Sequence, residues 1–215
     1  MTNLDKLLTN ASAPLSEHTP ELSEKLCILA GSLVDDLLQV YIKCNGFYAL
    51  EKALHFFPTH SDNQEISIEE WNDDNLWLWG YEGLADNCLF FAEDVFGGQF
   101  CISNNLIYIF DPETGSLEYL ADSIENWANA IINDYETLTG YLLAHEWQEQ
   151  GGKIPIKKRL IPKIPFVAGG EFVLGNLYLG DVIEAMKFRA YLANQIRELP
   201  DGTQIEFDID DSKKA

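Results

Sequence analysis

Basic residues are scarce in this chain. Its 14 Lys and Arg stand against 35 Asp and Glu, a formal net charge of −21. A chain this acidic repels nucleic-acid phosphates, which excludes nucleic acid as the expected partner. Cysteine is sparse too. Cys27, Cys44, Cys88 and Cys101 form no CxxC and have no histidine at zinc-ligand spacing, so they read as reduced, structural thiols. Long apolar runs are missing, and none approaches the roughly 18–20 residues of a membrane span. The start, Met1 to Ala13, lacks the basic and apolar stretches of a secretory signal. The expectation is a cytoplasmic protein that neither spans nor binds a membrane. Catalytic motifs are missing as well: there is no GxSxG, Walker loop, GxGxxG or HExxH. No enzyme activity, cofactor or metal is expected.

What the chain does have is material for a core. Of its 215 residues, 47% are apolar and 12% aromatic, enough for one sizeable domain. Residues 1–20, with Pro14 and Pro20, read as a flexible N-terminal arm or a short helix. Leu22, Leu26, Leu29, Leu33, Leu37, Val40 and Cys44 then follow one helical stripe, stopped by Asn45-Gly46. Ala53 to Phe57 reads as a short strand. From Cys88 the pattern turns to β. Strands at 89–92, 100–102, 107–110 and 117–120 are joined by Gly97-Gly98, Asn104-Asn105 and the loop 111–115. Such tight turns join antiparallel neighbours, so these strands form a meander.

Asp122 and Glu125 have capping-box spacing. Ile124, Trp127, Ala128, Ile131, Ile132 and Tyr135 give the following helix its apolar face. Another helix is expected over 137–149, with His145 on its apolar stripe. Residues 153–170 hold Pro155, Pro162 and Pro165 and read as an extended, wrapping segment. Their Lys157-Lys158-Arg159 reads as packing on the protein's own acidic surface. A last helix starts near Asp181, and Ile205 to Ile209 reads as a final strand. The expected class is α+β: an antiparallel meander with helices packed on one side and a C-terminal helix–strand unit. The expected domain runs over 21–209, with its core at 40–135, a C-terminal extension at 136–209 and a tail at 210–215.

One stretch stands out for binding. Trp71, Trp77 and Trp79 lie in or beside a run that contains Asp62, Glu65, Glu69, Glu70, Asp73, Asp74, Glu82 and Asp86. Trp77 and Trp79 alternate with Leu76 and Leu78, which fits a central strand or a core plug. It also fits an aromatic anchor ringed by acids, because tryptophan supplies desolvated anchors and carboxylates pair a partner's Arg and Lys. On that reading Asp73, Asp74, Trp77, Trp79, Glu82 and Asp86 contact a basic protein partner. The competing reading is a small hydrolase using Glu93, Asp94 or Asp111 with a histidine. A regulatory scaffold is a third.

The meander also carries a resemblance. Phe90-Phe91-Ala92-Glu93-Asp94-Val95-Phe96-Gly97-Gly98-Gln99-Phe100 resembles the central motif of the SMI1/KNR4 (SUKH) superfamily. There an apolar strand meets an acidic residue, a turn glycine and an aromatic. Asn45-Gly46-Phe47 is similar to that family's early helix-ending feature. Ile107 to Asp111 and Ser123-Ile124-Glu125-Asn126-Trp127 resemble its later strand and helix. Pro165-Phe166-Val167 and Gly169-Gly170-Glu171 look like the longer branch found beside bacterial secretion-system toxins. The resemblance spans roughly residues 40–200. It implies an immunity protein that binds and blocks a toxin domain, often a nuclease, and it transfers no catalytic or contact residue.

Overall fold

The computed structural model describes residues 1–62, 65–200 and 202–203. Six strands form one antiparallel sheet in sequence order: β1 (Phe47–Ala49), β2 (Leu54–Phe56), β3 (Leu89–Asp94), β4 (Gln99–Ser103), β5 (Leu106–Asp111) and β6 (Ser116–Ala121). The class is α+β, with the meander where the turn residues place it. Asn104 and Asn105, at φ 50° and 63°, make the two-residue β4–β5 turn. Two left-handed residues match the twist of a hairpin, and Asn tolerates them.

The helices are α1 (Asn3–Leu8), α2 (Glu24–Ala30), α3 (Val34–Lys43), α4 (Ile68–Trp71), α5 (Ile124–Asn133), α6 (Tyr135–Thr139), α7 (Tyr141–Gly151) and α8 (Val182–Ile196). Among the described residues no helix is long and apolar enough to cross a membrane. One sheet face is closed by the N-terminal helices and α5. The Trp127 indole meets Phe91, Phe56 and Phe100 at centroid distances of 5.3, 5.9 and 5.9 Å. Phe90 and Phe91 are successive residues of β3 and so point to opposite faces. Phe91 meets Trp127, while Phe90 meets Trp77 and Phe110 on the far side. That second face is covered by residues 65–87 and, behind them, by α8. Met186, Ala190 and Ala193 of α8 join the main core.

Several local expectations need correction. The stripe over 22–44 is not one helix. It breaks at Gly31, φ 56°, where a Cβ would lie 2.2 Å from the Asn105 side-chain oxygen. That same oxygen accepts the Ser32 N–H at 2.8 Å, so the β4–β5 turn wedges into the break. The N-terminal segment is docked rather than loose. Leu4 and Leu7 are buried, the Ser12 N–H donates to the Tyr48 carbonyl at 2.7 Å, and Ala11 bridges Ala49. The segment thereby covers the free edge of β1. Glu125 does not close a capping box on α5. Ser123 caps that helix, and Glu125 accepts the Asn3 and Leu4 N–H groups at the start of α1.

The helix expected over 137–149 is two helices, divided at Gly140, φ 68°. A Cβ there would sit 2.4 Å from the Phe96 ring. His145 is on the exposed side of α7, with Nδ1 2.9 Å from Glu51, because α7 packs inward through Ala144, Leu143 and Trp147. Within the proline-rich segment, β7 (Lys158–Pro162) pairs antiparallel with β8 (Leu177–Asp181). Asp181 then caps α8 through the Ile183 and Glu184 N–H groups. The expected strand Ile205–Ile209 and the tail lie outside the described residues.

Candidate functional site: an exposed acidic strip and the charges buried behind it

The tryptophan stretch is neither strand nor simple plug. Ser67 caps the single-turn α4, and Asn72 then mimics a strand neighbour. Its amide donates to the Phe90 carbonyl and accepts the Phe90 N–H, at 2.8 and 2.9 Å. The Asp73 carboxylate accepts the Asn75 N–H at 2.8 Å, which turns the chain outward. Trp77 turns back in, against Trp71, Phe90 and Tyr81 at 5.3, 5.0 and 5.5 Å. A 3-10 turn over Leu78–Tyr81 rotates Trp79 to the outside.

Trp77 is therefore no anchor for a partner: it is 0% exposed, whereas Trp79 is 66% exposed. Three residues per turn, rather than the strand period of two, separate two tryptophans that alternation would place together. Asp73, Asp74, Glu82 and Asp86 are all exposed. These four acids and Trp79 are the exposed strip of the 73–86 segment, which meets α8 at two points and α2 through the Asp74–Lys25 pair. Asp73 and Ile183 line the same groove. Asn194 donates to the Gly80 carbonyl at 2.5 Å, and the Tyr81 hydroxyl donates to the Pro112 carbonyl at 2.8 Å. The strip continues past Leu84, which packs against Gly115 in the β5–β6 turn.

Sequence reasoning missed the aromatics beyond Trp79. Phe188 and Tyr191 on α8, Tyr178 on β8 and Phe172 are all exposed. Phe188 and Tyr191 lie off the buried Met186–Ala190–Ala193 stripe, so their outward placement was legible. Two adjoining grooves share Glu113 and Arg189. Phe188 and Tyr178 line one, and Phe172 and Val167 line the other.

The carboxylates considered for catalysis fall into two separate environments. Glu93 is interior. Arg159 of β7 lies 2.6 Å from it, and His55 Nδ1 3.0 Å. Burial alone pushes the Glu93 carboxyl up, but the Arg159 guanidinium and the His55 hydrogen bond outweigh it and hold it below the usual range. Burial pushes the His55 imidazole down, against the pull of Glu93. The Tyr48 hydroxyl donates to Glu65 at 3.0 Å, and Trp71 donates to Gln99 at 2.8 Å. This network ties β7 to the sheet. Arg159, expected on the acidic surface, is thus an interior counter-charge.

Asp94 and Asp111 instead share a cavity of about 220 Å³ with Glu113, Arg189 and several phenylalanines. Asp94 Oδ1 accepts the Phe96 and Gly98 N–H groups at 2.7 and 2.8 Å. Burial nevertheless pushes its carboxyl up to about 7. Asp111 accepts the Glu113 N–H and the Thr114 hydroxyl, each at 2.9 Å. Both therefore shape turns. Glu93 and the four histidines are not among the residues that line this cavity. Among the described residues no three His, Cys, Asp or Glu converge on a metal site. The four cysteines are free thiols, and three of them are buried.

Comparison with known proteins gives the fold and no more. No family model and no curated protein matches the chain. A solved structure, that of Atu4351 from Agrobacterium tumefaciens, is similar with a TM-score of 0.54 and 14% identity over 86% of each chain. At that identity the likeness concerns architecture alone.

Proposed function

We propose that this chain is a binding protein of the SMI1/KNR4 type that neutralises a basic toxin domain, encoded beside it, by occupying the cleft where the toxin engages its substrate. The observation that carries the reading is the exposed strip: Trp79, at 66% exposure, set among exposed Asp73, Asp74, Glu82 and Asp86. A large exposed aromatic among carboxylates suits a partner rich in Arg and Lys. The net charge of −21 is far beyond what solubility asks of one domain, and it would steer such a partner in. The motif resemblance supplies the class of partner, and a nuclease, whose cleft is basic, fits the charge.

The test is protection of cells that express the adjacent toxin domain. Reversing Asp73 and Asp74 together to Lys removes protection on this reading, while thermal unfolding stays near that of the unmodified chain. Protection that survives the double reversal moves the interface elsewhere.

A hydrolase reading has one observation in its favour: the Asp94 carboxyl, pushed up to about 7, beside a cavity that also holds Asp111. A general acid works in that range. Turnover abolished by Asp94→Asn in a hydrolase screen would establish that reading instead.

A further inference from the structure

The cavity at the end of β3 and β5 is lined by more than the turn-forming Asp94 and Asp111, and it has the walls of a binding site. Phe166 and Phe172 stack with centroids 3.8 Å apart, and Phe96 meets them edge-on at 5.5 and 5.7 Å. Phe172 is 61% exposed, so one wall of the cage stands at its mouth. The volume of about 220 Å³ is below the roughly 300–1,000 Å³ of pockets for drug-sized ligands. It suits one side chain.

Charge narrows the choice. Three carboxylates, Asp94, Asp111 and Glu113, line the cavity with one cation, Arg189. Arg189 is already engaged. Its Nη1 donates to the Phe96 carbonyl at 2.7 Å, and its Nε lies 3.8 Å from Glu113 Oε1. Its single charge is shared between Glu113 and Asp94 and cannot offset all three carboxyl groups inside the cavity. Unused acceptors remain as well. Glu113 Oε1 is buried without a hydrogen bond. Asp94 Oδ2, packed over Gly98, has no donor among the described residues. An anion would be repelled here, and an apolar group would leave the carboxylates uncompensated. A cation among phenylalanine faces meets both requirements.

We infer that this cavity receives a basic side chain of the partner, arginine above all, whose flat guanidinium matches the stacked phenylalanine faces. The inference deepens the proposed binding function and rests on it for the source of the side chain. It also extends the contact surface from the strip, across the exposed Phe188 and Tyr178 groove, to the cavity.

The test needs no toxin. The ¹⁵N-labelled full chain is titrated with N-acetyl-L-arginine methylamide and, separately, with the uncharged citrulline analogue, and backbone amide shifts are followed. The arginine probe is expected to give saturable shifts confined to Phe96, Gly98, Val167 and their neighbours, and to bind about tenfold more tightly than the citrulline probe. Phe172→Ala alters an exposed ring and should weaken the arginine probe about threefold. Asp94→Asn keeps the acceptor for both turn N–H groups and should weaken it as well. Equal binding of the two probes, shifts that never saturate, or variants that bind like the unmodified chain would each overturn the inference. Failure here leaves the strip reversal to be judged on protection. Conversely, protection unaffected by that reversal, with the arginine probe still captured, would remove the proposed function and leave the cavity's chemistry standing.

Discussion

Glu93 and Asp74 each have a basic side chain within about 3 Å, and the two pairs do different work. Glu93 and Arg159 are both 2% exposed and 2.6 Å apart. Asp74 and Lys25 are 77% and 49% exposed and 3.0 Å apart. Water screens the second pair, and exposed pairs contribute about 0–1 kcal/mol. The first pair has lost its water, so each charge depends on the other. The interior pair therefore serves the fold by fastening β7 to β3. The strip's carboxylates contribute little to the fold: an exposed pair from Asp74 to Lys25 and a turn contact from Asp73 to Asn75. Among so many acids, the surroundings of each one assign its role.

Breaking the interior pair should have the largest effect. Glu93→Gln strands the Arg159 charge, and a cost of about 3–5 kcal/mol is expected from urea unfolding. Replacing both, Glu93→Gln with Arg159→Met, should recover part of that loss, because no buried charge is then left alone. A single variant as stable as the unmodified chain would mean that the pair is wet.

The tryptophans give the same comparison without charge. Trp77→Ala empties the space between Trp71, Phe90 and Tyr81 and should cost about 3–5 kcal/mol. Trp79→Ala should stay within about 0.5 kcal/mol. Matching unfolding midpoints for the two variants would contradict the inside–outside assignment.

Asp94 stands between the two regions, and pH sharpens its position. Its ordinary value is 3.8, and in the folded chain it is raised to about 7. Between those values the folded state keeps a proton that the unfolded chain releases, so Asp94 lowers stability as pH rises from about 4 to about 7. Asp94→Asn has no proton to lose. Its stability relative to the unmodified chain should improve between pH 5 and pH 8, by about 2–3 kcal/mol. A difference that stays flat over that range would place the carboxyl in water.

The smallest effect on the fold is expected at the strip. Asp73→Lys with Asp74→Lys gives up one exposed pair and the Asn75 turn contact, about 1 kcal/mol at most.

Much of this architecture was legible because it is local. The meander follows from Asn104-Asn105, Gly97-Gly98 and the 111–115 loop, and α8 follows from the Asp181 cap and its stripe. The docking of α1 was not legible, since six residues leave too little periodicity to reveal a buried face. The break at Gly31 depends on the Asn105 side chain, which arrives from a distant turn. Of the six residues proposed for binding, Asp73, Asp74, Trp79, Glu82 and Asp86 are exposed. Trp77 is not, because a 3-10 turn changes the period between the two tryptophans. The cavity draws its walls from β3, β5, α8 and the 166–172 loop, so no stretch of sequence announces it. Arg159 sat in a visible basic run, but its partner Glu93 could be matched to it only once β7 was placed across the sheet.

The central claim is that the exposed strip, rather than the interior carboxylates, meets a basic partner. It is tested most directly by the affinity of the chain for the adjacent toxin domain, measured by calorimetry at low and physiological salt, with and without Asp73→Lys and Asp74→Lys. Binding that weakens with added salt, and that drops by about tenfold or more in the double variant, is the predicted result. Equal affinity for both chains at both salt concentrations would contradict it.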